Sequence, residues 1–287
     1  MLYKGKSILD VANEHNFAIP AFNISDWAMF NGVMDISEEL AAPVIIAIHP
    51  DEVAHVTADL IAAMHSRAHR SNVPVAIHWD HGGDFEQMIT AIQAGFTSVM
   101  IDASLKPFDE NVALTRKVVE AAHAVNVQVE GELGTIGAND SYGESGAAEI
   151  IYTNTADAVR FVAETGVDSL AIAIGTSHGL YPADRNPELR HDLLKEIKAA
   201  TGIPLVLHGG SANPDSELRR AVELGINKIN ISSDIKVAYH NRMREVLGTD
   251  ERLREPNVIQ PEPIAALKQT AKQKIELFDA AGKANLY

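Results

Sequence analysis

The strongest constraint on the fold is an alternation that recurs eight times along the chain. A short apolar or alternating run stops abruptly at a polar residue or glycine, and a helical pattern follows. The runs span residues 17–22, 43–48, 75–81, 98–101, 127–132, 168–174, 204–207 and 228–231. Runs of this length, rich in β-branched residues, read as buried strands, and helices between consecutive strands imply parallel pairing. Helices are expected at residues 8–15, about 27–40, about 52–70, about 85–94, from 109 or 110 onward, 155–165, 188–200 and 234–247, with a terminal one through about 281. Ser7 and Thr155 are the expected caps of two of them. Asn213-Pro214 has the favoured cap-then-proline order for a helix that Gly225 ends. Eight strand–helix pairs in 287 residues favour a closed (β/α)8 barrel, the TIM-barrel class of α/β folds, over an open doubly wound sheet. Phe22-Asn23-Ile24-Ser25-Asp26 also lacks the glycines of a dinucleotide-binding turn. The expectation is one barrel domain over residues 1–287 with a C-terminal helical extension.

In such a barrel the C-terminal strand ends share one face, so chemistry should collect there. Val75-Ala76-Ile77-His78-Trp79-Asp80-His81-Gly82-Gly83 delivers a carboxylate and an imidazole side by side at one tip. Two later strands run into Gly175-Thr176-Ser177-His178-Gly179 and His208-Gly209-Gly210-Ser211. The mouth should therefore gather Asn23, His49, Asp80, His81, Asp102, Glu132, His178, His208 and Asn230. The chain has no cysteine, so any zinc must be held by histidine and carboxylate. His81, His178 and His208 can supply three imidazoles and leave a position for a substrate oxygen. Asp102 and Glu132 are candidate outer acceptors or alternative metal ligands. Glu130 and Glu132 should share a face by strand alternation. His78 points as Asp80 does but one layer deeper, and reads as a hydrogen-bonded core residue. Histidines at 15, 55, 65, 69, 123, 191 and 240 fall on helices away from the mouth.

Glycines and hydroxyls after strands seven and eight, in Gly209-Gly210-Ser211 and Asn230-Ile231-Ser232-Ser233, suit a phosphate held by backbone N–H groups at helix N-termini. The formal net charge of -15 argues against nucleic acid or an anionic membrane surface as a partner, and allows a small anion only where donors are local. No apolar signal core opens the chain and no run is long enough to span a bilayer, so a cytoplasmic location is expected. Residues 134–154 form the longest expected connection and carry Gly134, Gly137, Gly143 and Gly146, which points to a mobile active-site cover or to disorder.

Seven stretches, in this order, carry a family resemblance: Ala21-Phe22-Asn23, His78-Trp79-Asp80-His81-Gly82, Ser98 to Ser104, Val129 to Gly134, Gly175 to Gly179, Leu205 to Ser211 and Lys228 to Ser233. The chain resembles the class II, metal-dependent ketose-bisphosphate aldolases over nearly its whole length. The resemblance implies Zn²⁺ on His81, His178 and His208, with Asp80 as catalytic acid and Asp102 and Glu132 at positions of a displaced or second metal. It implies a dihydroxyacetone phosphate pocket at Gly179, Gly209, Gly210, Ser211, Asn230 and Ser233. Asn23, His49 and Ser232 are read as further substrate contacts. A monovalent cation beside the phosphate and a homodimer or homotetramer are further expectations. The chemistry implied is polarisation of a ketose carbonyl and stabilisation of the enediolate left by C–C cleavage.

Departures from the family pattern bear on the aldehyde. Asp140, in Ala138-Asn139-Asp140-Ser141, stands where the family usually has a glutamate that exchanges the carbon-bound proton. His49 replaces a common serine, and Ala212 replaces the glycine after Gly-Gly-Ser. Arg254-Glu255-Pro256-Asn257 replaces the family's Asp-Pro-Arg motif, whose arginine reaches a neighbouring subunit's distal phosphate, with Arg254 as the candidate substitute. These changes lead us to expect an aldehyde other than glyceraldehyde 3-phosphate, one without a phosphate being a candidate. Two rival enzymes fit less well. A zinc hydrolase should have His-x-His at the first strand end, and a lysine-dependent aldolase needs a mid-barrel lysine, whereas Lys228 opens its strand and Lys106 lies in a loop. The non-enzymatic alternative is an aldolase-derived sugar-phosphate-binding protein or assembly subunit. The retained Asp80 beside three histidines weighs against it, since binding alone needs no acid there.

Overall fold

The computed structural model describes residues 1–3, 7–138, 149–181 and 187–287. Its strands are β1 (Ile19–Asn23), β2 (Val44–Ile48), β3 (Val75–Gly82), β4 (Ser98–Ile101), β5 (Gln128–Leu133), β6 (Gly137–Ala138), β7 (Ser169–Ile172), β8 (Ser177–His178), β9 (Leu205–Leu207) and β10 (Ile226–Ile231). Eight of them close a parallel barrel in the order β1, β10, β9, β7, β5, β4, β3, β2, while β6 and β8 form a separate two-stranded parallel sheet. This is the (β/α)8 architecture that the alternation demands. The helices are α1 (Ile8–His15), α2 (Trp27–Glu39), α3 (Pro50–Arg70), α4 (Phe85–Ala94), α5 (Phe108–His123), α6 (Thr155–Thr165), α7 (His191–Thr201), α8 (Asp215–Glu223), α9 (Ser233–Leu247), α10 (Pro256–Ile259) and α11 (Pro261–Leu277). Among the described residues no helix is long and apolar enough to cross a membrane.

The barrel wall follows from the residues that line it. On β3, Val75, Ile77 and Trp79 face the helices, where Trp79 packs edge-on against Phe96 at 5.3 Å. Gly131 on β5 leaves the room that Phe161 of α6 fills, since a Cβ there would lie 2.8 Å from the ring. The opposite faces of β3, β5 and β10 send His78, Glu130 and Lys228 into the barrel interior, where branched aliphatic side chains usually dominate. The C-terminal α11 lies against α9 and α2, outside the wall.

Several element ends differ from expectation, each for a local reason. Asn154, not Thr155, caps α6, because its side chain accepts from both Ala156 N and Asp157 N. Helix α8 begins at Asp215, since the Asn213 amide is turned back to donate to the Gly209 and Ser211 carbonyls. Leu224 rather than Gly225 follows its last turn. Helix α7 starts at His191, not Glu188, and α11 stops at Leu277 before a short 3-10 turn, Lys283–Leu286. Ser7 caps α1 as expected, accepting from Leu9 N at 3.1 Å. The connection after β5 is not wholly irregular: β6 pairs with β8, and Thr135 bridges Ile151.

The end of the barrel opposite the strand tips is tied together by Asn227. Its amide donates to the Ala12 and Phe17 carbonyls at 3.1 and 3.2 Å, and its oxygen accepts from Lys198 Nζ at 2.8 Å. Lys198 also donates to the Ile203 carbonyl and to Asn13 Oδ1, and burial lowers its pKa to about 8. Replacing Asn227 with leucine removes the side-chain donors to the Ala12 and Phe17 carbonyls, one of the three acceptors of Lys198 Nζ and the acceptor for Leu205 N. Urea unfolding of N227L should show a loss of about 3 kcal/mol, and a midpoint equal to that of the unaltered protein would contradict this role.

Candidate metal centre and active site

Asp80 and His81 are neighbours on β3, so a regular strand would send them to opposite faces. The backbone resolves this conflict at His81, which adopts a left-handed conformation with φ 50° where the β3–β4 register shifts. Such a bulge re-aims a side chain and is common beside active sites. Gly82 completes it, because a Cβ there would lie 3.1 Å from the Met100 carbonyl and closer still to the Met88 side chain. The result is that Asp80 and His81 both reach the mouth.

His81, His178 and His208 each offer a ring nitrogen, and these atoms all lie within 4.8 Å of one another. His81 Nε2 and His208 Nδ1 are 3.0 Å apart, and the His81 ring lies 5.1 Å from that of His178. His208 directly follows β9, held by Gly209, whose positive φ of 63° and close approach to the Ser177 carbonyl exclude a side chain. His178 arrives differently from expectation. Strand β7 ends at Ile172, and the histidine sits on the separate strand β8, which β6 holds over the mouth.

Carboxylates surround the imidazoles. Asp102 Oδ2 faces His81 Nδ1 at 3.1 Å, and its other oxygen accepts from the backbone and hydroxyl of Ser104. Glu130 Oε1 faces His208 Nε2 at 2.8 Å. Carboxylates at these outer nitrogens leave His81 Nε2 and His208 Nδ1 turned towards each other, as paired ligand nitrogens would be. Glu132 is buried, and its Oε2 has no hydrogen-bond partner among the described residues. With His81 and Asp102 it forms a second group able to hold a cation. Three nitrogens in mutual reach, an orphaned buried carboxylate oxygen and no competing thiolate form a donor set that fits Zn²⁺.

The protons follow the same field. Burial disfavours charge on His81, but Asp80, Asp102 and Glu132 outweigh it and raise its pKa to about 10. Burial and the neighbouring Asp102, Glu130 and Asp80 push Glu132 well above the usual carboxylate range. Asp80 is held well below that range: its burial is overcome by the positive charge of His81 and Lys228. Asp102 is held low against burial by its hydrogen bond and charge interaction with His81. Burial, with the charge of His81, lowers the pKa of His208, and burial drives His78 down to about 3. A field that holds a proton on His81 this firmly also favours a divalent cation between the rings.

Asp80 is held from two sides by asparagine amides. Asn23 Nδ2 donates to its Oδ2 at 2.7 Å, and Asn230 Nδ2 donates to both oxygens at 3.0 Å. Next to it lies a cleft of about 280 Å³ lined by His178, Gly179, Gly209, Ser211, Asn230, Ser232 and Ser233. Six of the expected substrate residues besides His178 thus share one space. Gly210 is not among the lining residues; its N–H is used on the Asn230 carbonyl, and a Cβ there would strike Ile229. Helix α9 starts at this cleft, and Ser232, at its cap position, makes no side-chain cap bond. His49 caps α3 by accepting from Asp51 N, with its ring 6.1 Å from that of His81. Asp140 lies outside the described residues.

Lys228 and Glu130 are the residues that strand reading undervalued. Lys228 opens its run in the sequence, yet it is fully enclosed and pairs with Glu130 at 2.7 Å. The placement of Glu130 and Glu132 on one face was the available signal. His78 stands apart from the metal-ligand groups, bonded to Ser98 Oγ and Lys228 Nζ, as a core residue.

A sequence model of the family described as fructose-bisphosphate aldolase class-II matches residues 3–283. A fructose-bisphosphate aldolase of Staphylococcus aureus (strain Mu50 / ATCC 700699) is 38% identical, covering 97% of this chain and 98% of the relative. A D-tagatose-1,6-bisphosphate aldolase subunit, GatY, of Klebsiella oxytoca is 36% identical, covering 98% of this chain and 99% of its own. The crystal structure of the YdjI aldolase from Escherichia coli K12 superposes with a TM-score of 0.85 at 34% identity, covering 99% of this chain and 100% of that one.

In chelator-treated protein the proton positions set a pH optimum of stability. The contribution of His81, with its raised pKa, is complete below an unfolded value of about 6.5 and is lost as the pH climbs through about 10. Glu132, pushed up, adds a loss that begins as the pH rises above its unfolded value of about 4.3, whereas His78 and His208, both lowered, add contributions that are complete above about 6.5 and are lost as the pH falls below it. The contributions of Asp80 and Asp102, both held low, are present above about pH 4 and lost as the pH falls through their folded values. Guanidinium midpoints across this range should therefore peak near pH 6.5. A midpoint that stays level or rises from there to pH 10 would contradict the assignment.

Proposed function

Because the chain belongs to the class-II fructose-bisphosphate aldolase family, we propose that its mouth cleaves and re-forms the bond joining dihydroxyacetone phosphate to an aldehyde within ketose 1-phosphates or bisphosphates. Its reaction class is that of an aldolase, a carbon–carbon lyase, and zinc dependence is general in the family. The observation that carries the reading is the adjacency of Asp80, clamped by Asn23 and Asn230, to the three-imidazole group and the serine- and glycine-lined cleft.

In this reading His81, His178 and His208 hold Zn²⁺, with Asp102 and Glu132 as the alternative or second group. When bound, the ion supplies Lewis acidity at the ketose carbonyl. Asp80 accepts the hydroxyl proton as the C–C bond breaks and returns it in condensation. Its depressed pKa keeps it ionised, the state a proton acceptor needs, and the two amides fix the direction of its lone pairs. Asn23 Oδ1 and Asn230 Oδ1 are buried without hydrogen-bond partners among the described residues, which suits them to receive substrate hydroxyls. The phosphate lies against Gly179, Gly209, Ser211, Ser232 and Ser233, where the uncapped start of α9 offers N–H groups and the positive end of its dipole. Gly210 supports this cleft by letting the backbone pack on β10. Asp140 exchanges the carbon-bound proton, one methylene shorter than a glutamate in that role.

The reading of the distal end of the substrate rests on the departures at His49 and Arg254. His49 stands at the mouth, and Arg254, 81% exposed at its side chain, pairs only with its neighbour Glu255 among the described residues. This arrangement supports an aldehyde other than glyceraldehyde 3-phosphate. Assembly as a homodimer or homotetramer belongs to the same reading and rests on the family resemblance alone.

A retro-aldol panel of ketose 1-phosphates and 1,6-bisphosphates, coupled to detection of dihydroxyacetone phosphate, tests the proposal. Release should require metal, disappear with chelator, and favour the monophosphates. Equal turnover of bisphosphates would refute the distal-end reading, and metal-loaded protein that releases nothing would refute the activity. Asp80→Asn should lower kcat by at least about 100-fold with zinc content unchanged. Retention of more than a tenth of the activity would remove Asp80 from the chemistry.

A further inference from the structure

Beneath the mouth, hydrogen bonds cross the barrel interior from wall to wall. Ser98 Oγ on β4 meets His78 Nδ1 on β3 at 2.8 Å, and His78 Nε2 meets Lys228 Nζ on β10 at 3.2 Å. Lys228 Nζ donates to Glu130 Oε2 on β5 at 2.7 Å, and Glu130 Oε1 meets His208 Nε2 at 2.8 Å. His78, Lys228, Glu130 and His208 are each at most 2% exposed. Lys228 and Glu130 do not line the cleft assigned to substrate.

A buried ion pair is a poor device for stability alone, because apolar side chains of similar volume commonly do as well or better. Its geometry suggests another purpose. For His208 to present a lone pair at Nδ1, its proton must sit on Nε2, and an ionised carboxylate, which can only accept, enforces that tautomer. Glu130 has one oxygen for this task and gives the other to Lys228. Lys228 in turn donates to His78 Nε2, so the His78 proton sits on Nδ1 and points to Ser98. The carboxylate behind His208 is thus pinned and its charge cancelled.

We propose that Lys228 is a positioning residue of the metal centre: by anchoring and neutralising Glu130 it fixes the orientation and tautomer of His208 without touching metal or substrate. The inference rests on the reading of His208 as a ligand. It separates Lys228 from the other buried lysine, Lys198, which ties α7 to α1 at the far end of the barrel through Asn13 and Asn227.

Three readings on K228M, with K198M as the control for loss of a buried lysine, test this. Nitrogen-15 shifts of His208 in metal-free protein report its tautomer, chelator competition reports zinc affinity, and visible absorption of the cobalt-substituted protein reports ligand geometry. The unaltered protein should show one Nε2–H tautomer. K228M should show a mixed or reversed tautomer, a zinc affinity about 10–100-fold weaker and a changed cobalt spectrum. K198M should lose stability and leave all three readings unchanged. A single Nε2–H tautomer in K228M with unaltered zinc affinity and cobalt spectrum would overturn the proposal. Should K228M fail to fold, K228Q, which removes the charge but keeps an N–H donor towards Glu130, decides on the same readings. A tenfold or greater loss of zinc affinity in it supports the proposal, and unchanged affinity overturns it. If the unaltered protein binds no zinc, the ligand reading fails. The tautomer comparison, made without metal, still decides whether Lys228 positions His208.

Discussion

Charge compensation in a dry enclosure governs the rest of this structure. Asp80, Glu130 and Glu132 are enclosed in the barrel or its mouth, with Asp102 at the edge. Such a set is tolerable only if cations and donors reach each member. Lys228 meets Glu130, two asparagine amides meet Asp80, and a protonated His81 lies between Asp80 and Asp102. Glu132, with no such partner among the described residues, has its pKa pushed well above the usual carboxylate range, which favours its neutral form. A divalent cation among the imidazoles answers the same demand and leaves all three rings neutral. The metal centre and the electrostatics of the fold are therefore one problem with one solution.

That solution needs backbone devices at particular points. The bulge at His81 lets adjacent residues share a face, Gly209 lets β9 turn beside Ser177, and the β6–β8 pair lifts His178 over the opening. Each puts strain or a special residue where an imidazole must be aimed, while the barrel wall stays regular. The cleft proposed for the phosphate is built more simply, from glycines, serines and the start of α9, because an anion needs N–H groups more than it needs side-chain precision.

How much of this was legible depended on the range of the interaction. The eight strands were readable because each is a short run with an abrupt stop, and the candidates at their tips follow from barrel geometry once the strands are placed. Glu130 and Glu132 share a face as period-two alternation requires. The same rule would have separated Asp80 from His81, since a register shift depends on how β3 meets β4 and leaves no local pattern. Lys228 was set aside as a strand-opening lysine because its partner, Glu130, lies 98 positions away and across the barrel. Asn154 won the cap of α6 from Thr155 through a contest of side-chain reach that propensity does not settle.

The central claim is that His81, His178 and His208 share one divalent cation beside Asp80. Zinc-edge anomalous diffraction from crystals of the zinc-reconstituted protein tests it most directly. The account predicts a principal peak about 2.0–2.1 Å from His81 Nε2, His208 Nδ1 and a ring nitrogen of His178. A principal peak on a helix histidine such as His123 or His191, or none in the mouth at full zinc loading, would contradict it.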